Sequence, residues 1–287
     1  MKTFKIKPQQ ISKRINNIKD CPQQLYIKTK LEKPLDLFSQ PTVAVVGSRK
    51  LTSYGKIVTE KIVNELVING VTIVSGLALG VDSVAHAQAL KSGGSTIAVL
   101  PSGVNSVYPR SHQNLAEKIC QKGALISEYK PEEAVAYKQN FIARNRIIAG
   151  LSDAIIITEA AKGSGSLHTA NFGIDLGIDI YAVPGNITSP SSEGVNALIK
   201  NGAFLLDNTK DLLDDLGLNK KTSQRQLPLV ESKEQQLIVN VLADGSLHYE
   251  NILNKTGLSA NQLNSSLSYL EIIGIVRNIG NNNWDLN

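Results

Sequence analysis

The chain reads as an α/β protein, a doubly wound parallel sheet followed by a small C-terminal helical domain. Three observations predict this. Short apolar runs of strand length alternate with amphipathic stretches of helix length through most of the chain. The connections are short, which for parallel strands implies right-handed crossovers. Glycine and serine gather where the apolar runs stop, as in turns at strand ends.

The first run, Val43-Ala44-Val45-Val46, has the β-branched composition of a buried parallel strand and stops at Gly47-Ser48-Arg49. The spacing of Ile57, Ile62, Val63, Leu66 and Val67 then predicts a helix over 54–68. The same alternation predicts strands at 71–74, 95–99, 124–127, 154–157 and 179–183. Between and after them it predicts helices at 81–91, 111–122, 139–150, 166–176, 193–200 and 209–216. Residues 1–40 have only short apolar groupings, such as Leu25-Tyr26-Ile27, and read as a leader packing on the body, 41–217. Residues 218–229, with Lys220, Lys221, Arg225 and Pro228, have linker composition. In 230–287, helices at 235–243, 249–256 and 260–273 precede a hairpin, the order of a winged helix-turn-helix. Its third helix offers Asn261, Gln262, Asn264 and serines but no lysine or arginine, which suits duplex phosphates poorly; a protein contact competes as its role.

Charge is informative once divided along the chain. Of 30 basic and 25 acidic residues, the leader holds nine against three, the body fifteen against sixteen, and the C-terminal domain three against six. A near-neutral body that binds a polyanion must gather its few cations in one place. Cys21 and Cys120 have no paired spacing, so neither a disulfide framework nor a zinc site is read. No apolar run is long enough to cross a membrane and no export signal is read, so a cytoplasmic location is expected.

Three glycine clusters sit at predicted strand ends: Gly47-Ser48-Arg49, Ser75 to Asp82 with Gly76 and Gly80, and Lys162-Gly163-Ser164-Gly165-Ser166. Each can present backbone amides to an anion at a helix N-terminus, or can be a plain tight turn. Together they are expected to open onto one sheet edge. None has the spacing of a P-loop, a dinucleotide fingerprint or a nucleophile elbow. Asp82 is a candidate cap for its helix. His86, one turn on, is expected to be satisfied by that carboxylate rather than to bind metal. Lys138, Arg144 and Arg146 bracket Phe141, either as a nucleic-acid site where cations meet phosphates and a base stacks on the ring, or as a core helix with salt bridges.

The segments VAVVGSRKLTSYG, SGLALGVDSVAHAQAL, TIAVLPSGVNSVYP, FIARNRIIAGLS, EAAKGSGSLHTA and SEGVNALIKNGA resemble, in order and spacing, the DNA-processing protein A family, also called DprA or Smf. The resemblance covers about residues 15–210. It implies a Rossmann-like domain with a winged-helix tail that binds single-stranded DNA, forms a homodimer and helps load the RecA recombinase during DNA uptake. By that resemblance Arg49 grips phosphate, Lys138 lines the same groove and Phe141 receives a base. Gly47, Ser48, Gly76, Gly80, Ser164, Gly165 and Ser166 belong to its loops, and Arg144 and Arg146 to an RNR signature shared between fold and strand; Lys162 is a candidate contact because it is a cation next to the third loop. Pro101, Asn105, Ile142 and the Pro131 to Val135 approach depart from the family pattern at the groove rim. The expected protein is not an enzyme and needs no cofactor or metal. The competing readings are a nucleotide-binding sensor and a nucleotide phosphoribohydrolase, in which Glu159 would be the acid.

Overall fold

The computed structural model describes residues 1–12, 14–134, 137–218, 230, 232–243, 245–280 and 282–286. Two units separate, Met1–Leu218 and Asn219–Asn287. The expected linker, apart from Leu218, lies outside the described residues.

The first unit alternates as its sequence predicts. Its strands are β1 Lys2–Ile6, β2 Leu25–Thr29, β3 Thr42–Val46, β4 Thr72–Ser75, β5 Thr96–Val99, β6 Ala124–Ser127, β7 Ala154–Ile157, β8 Asp179–Ala182 and β9 Phe204–Leu205. Between them run helices α1 Ser53–Ile68, α2 Val81–Lys91, α3 Gln113–Lys122, α4 Gln139–Gly150 and α5 Ser166–Asp175, with α6 Glu193–Lys200 before β9 and α7 Lys210–Asp215 after it. The strands form one sheet in the order β1-β2-β6-β5-β4-β3-β7-β8-β9. From β6 through β9 all pairings are parallel.

The pleat explains the unbroken apolar runs. Val43 and Val45 face one side with α1 and α2, while Ala44 and Val46 face the other with α4, and all four are buried. The chain proceeds from β3 outward to β6, then returns to place β7 on the other side of β3. That reversal opens a crevice beyond the strand ends.

Two features differ from the expectation. The leader does more than pack on the body: β2 pairs antiparallel with β6, and β1 with β2, so the sheet is mixed. Leu25 and Ile27 are fully buried there, each worth roughly 1.5–3 kcal/mol. Their runs are too short to stand out beside the leader's lysines, which are at home on the exposed edge strand β1. The two-residue strand β9 likewise carries no periodic signal.

The second unit has its own core, including Ile238, Ile252, Leu263, Leu267, Leu270 and Leu286. Its helices are α8 Lys233–Leu242, α9 Tyr249–Thr256 and α10 Ala260–Ile272; β11 Val276–Gly280 and β12 Asn283–Leu286 form the hairpin. A short strand before α9, β10 Leu247–His248, pairs with β12, and its two residues carry no periodic signal. Ser232 and Ser259 begin α8 and α10 with capping boxes, which accounts for those boundaries.

Candidate nucleic-acid interface

At the C-terminal ends of β3 to β7 lies a groove of about 1660 Å³. Among its described lining residues Arg49, Lys50, Arg110, Lys138, Arg144 and Lys162 face a single carboxylate, Asp82. Thus the near-neutral body does segregate its cations.

The three glycine loops meet at this edge but differ in what their amides hold. In the first, the Ser48 N–H donates to Glu159 O at 2.6 Å, and the Ser48 hydroxyl exchanges hydrogen bonds with the backbone of Lys50. The start of α1 is closed by protein groups. Thr52 N–H donates to Glu159 Oε2 at 3.0 Å, and Gly55 N–H donates to the Thr52 hydroxyl. In the second loop Gly76 N–H, at 3.1 Å, and Ala78 N–H, at 3.4 Å, donate to Asp82 Oδ2. Asp82 therefore ties the preceding loop together instead of capping its helix. Gly80 has φ +83°, and a Cβ there would lie 2.2 Å from Ser48 O, so glycine lets this loop dock on the first.

The third loop receives no carboxylate: Ser164 N–H donates to Ala161 O, and the Leu167 and His168 amides donate to Ser164 O and Gly165 O. The Ser164 and Ser166 hydroxyls lie 2.9 Å apart, Asn145 Nδ2 donates to Gly165 O at 3.1 Å, and no side chain caps α5. An uncapped helix N-terminus beside Lys162 favours an anion. The N-terminus of α4, at Lys138, is also without a side-chain cap.

Arg49 and Lys138 are exposed. The Arg49 guanidinium lies 5.1 Å over the ring of half-buried Phe141, so phosphate donors and a stacking surface share one wall. Gly47, Ser48, Arg49, Lys138, Phe141, Lys162, Ser164, Gly165 and Ser166 all line the groove.

Four expected contacts are placed otherwise. Arg144 lies at the groove floor, but it is 4% exposed and its guanidinium donates to Gly76 O, to Val99 O at 2.6 Å and to Asn145 Oδ1 at 3.1 Å. Burial lowers its pKa to about 10, with Asp82 opposing the shift. It contributes positive field and holds strand ends together. Arg146 does not line the groove and pairs with Glu128 at 2.6 Å. Gly76 packs on the Arg144 guanidinium, Gly80 on the first loop, and neither lines the groove. The cause is common to all four: helix periodicity and tight backbone packing turn them inward.

His86 is buried, and its partner is Thr96, not Asp82: Nδ1 lies 2.7 Å from Thr96 Oγ1, whose own proton goes to Ile73 O. Burial, helped by the Arg144 charge, lowers its pKa to about 3. Burial raises that of Asp82. Glu159 is 3% exposed and lies outside the groove lining. Tyr108 and Arg110 are groove residues that periodicity could not single out. An aromatic and a cation two positions apart were the available signal.

These features define a Rossmann-like protein with an electropositive groove at the switch point of its sheet. Residues 2–217 match the family described as DNA recombination-mediator protein A, and the chain belongs to that family. It is 42% identical over 198 residues to Protein Smf of Escherichia coli K12, covering 69% of this chain and 52% of that protein. To DNA processing protein DprA of Streptococcus pneumoniae it is 42% identical over 199 residues, covering 69% and 68%. The chain thus spans about half the length of its E. coli relative. The X-ray structure of the S. pneumoniae protein superposes with a TM-score of 0.69 at 39% identity, covering 75% of each chain. The Helicobacter pylori DNA processing protein A, whose structure is described in terms of a single-stranded DNA binding mode, gives 0.67 at 32% identity, covering 75% of this chain and 96% of that one.

Proposed function

We propose that the groove binds single-stranded DNA with little regard to sequence. The observation that carries this is the shared groove lining of Arg49 over Phe141, Lys138, Lys162 and the start of α5, which no side chain caps. Cations and helix amides suit phosphates, whereas a ring in a groove suits a base freed from its stack; every base has a face to stack, so sequence matters little. The H. pylori relative's single-strand binding mode supports the same class of ligand. In keeping with the family, the protein would protect such strands, load RecA, act as a homodimer and work in the cytoplasm. The open edge of β9, where Phe204 and Leu205 are about half exposed, is of the kind a second copy covers. No helix among the described residues is long and apolar enough to cross a membrane. The competing hydrolase reading has its acid, Glu159, at the start of α1 and outside the groove lining.

The test is fluorescence anisotropy with labelled oligothymidine and a matching duplex at several salt concentrations, with AMP, ATP and NAD as competitors. Tighter binding of the single strand, a steep salt slope and no competition are expected. Strong competition by a mononucleotide would favour a nucleotide sensor or hydrolase instead.

A further inference from the structure

We infer that Tyr108 and Arg110 form a second nucleotide subsite beside Phe141, so that the groove holds two bases turned sharply away from each other. This deepens the single-strand reading and rests on it. Tyr108 lines the groove, is 48% exposed, and lies 5.4 Å from the Phe141 ring with the planes at 73°. A flat base stacks on a ring only when nearly parallel to it. One base therefore cannot lie on both rings, and each ring serves its own.

Phe141 has a cation over its ring, Arg49, and Tyr108 has one two residues on in the same groove lining, the exposed Arg110. None of the ion pairs found among the described residues involves Arg49 or Arg110, which leaves both charges for phosphate. An aromatic and a cation are what one nucleotide needs, a face for its base and a donor for its phosphate.

The loop carrying Tyr108 is held in place. Gly103 N–H donates to Glu133 O and Asn105 N–H to Pro131 O, each at 2.7 Å, and the Ser106 hydroxyl donates to Glu132 O at 2.9 Å. The second ring is thus set by the coupled loops after β5 and β6, and the first by α4. In a duplex, successive bases remain stacked and parallel, so two rings at 73° select strands whose neighbouring bases can splay.

The test compares Tyr108→Ala, Tyr108→Phe, Arg110→Ala and Phe141→Ala by anisotropy on oligothymidine and on an abasic strand of equal length, with melting temperature as a check on folding. Tyr108→Ala is expected to weaken oligothymidine binding about tenfold and abasic binding hardly at all, with Tyr108→Phe restoring the affinity. Arg110→Ala should lower the salt slope by about 0.7 on both strands. Equal losses on both strands for Tyr108→Ala would reduce Tyr108 to a structural role and overturn the subsite. So would no loss on either strand while Phe141→Ala weakens binding. Absence of single-strand binding by the unmodified protein would instead bring down the groove reading itself.

Discussion

The first two glycine loops and the third have similar composition and lie at the same sheet edge, yet a carboxylate holds amides in the first two and none reaches the third. Glu159 reaches the start of α1, and Asp82 gathers the amides of the second loop. Both loops consequently serve to lock strand ends together. The third, before α5, receives no carboxylate and has Lys162 beside it. A glycine-rich strand end keeps its field for an anion where no carboxylate of the protein already sits on it.

The strongest way to break this contrast is to give the third loop a carboxylate. Ser164→Asp places a carboxylate at the start of α5, as Glu159 does at α1, and should cost roughly tenfold or more in single-strand affinity without loss of melting temperature. Unchanged affinity would show that this loop is no part of the interface. The converse change, Glu159→Ala, removes the acceptor of the Thr52 amide. It should lower unfolding free energy in urea by about 1–3 kcal/mol while leaving affinity within about twofold. Arg49→Ala sharpens the contrast within the first loop, whose backbone is closed but whose side chain is open. The salt slope of binding should fall by about 0.7, one phosphate's worth, and an unaltered slope would remove Arg49 from the contacts.

The smallest net effect concerns pH, because His86 in α2 and Asp82 at its start act in opposite senses. His86 has its pKa lowered from 6.5 to about 3, so below 6.5 the unfolded chain binds a proton that the folded chain refuses. Stability from this group should therefore fall as pH drops from about 6.5 towards 3. Asp82, its pKa raised, acts in the opposite sense above 3.8. Denaturant unfolding of His86→Asn against the unmodified chain isolates the histidine, and equal pH slopes would contradict its neutral burial.

What the sequence by itself determined is the parallel core and the sheet edge at which the glycine loops gather. Runs such as VAVV and AIII are apolar throughout because both faces of their strands are covered, and helix periodicity between them fixes the crossovers. Spacing left the stretch around Lys138 and Phe141 open between a nucleic-acid site and a core helix with salt bridges; the resemblance, not periodicity, singled out Arg49, Lys138 and Phe141. Tertiary structure alone decided which loop receives a carboxylate, since the one that closes α1 comes from 107 positions away. It also turned Arg144 and Arg146 inward, recruited the leader's strands to the sheet edge and set Tyr108 against Phe141. Local sequence sets propensity and periodicity, whereas the partner of a buried polar group depends on which distant segments the fold brings within about 3 Å.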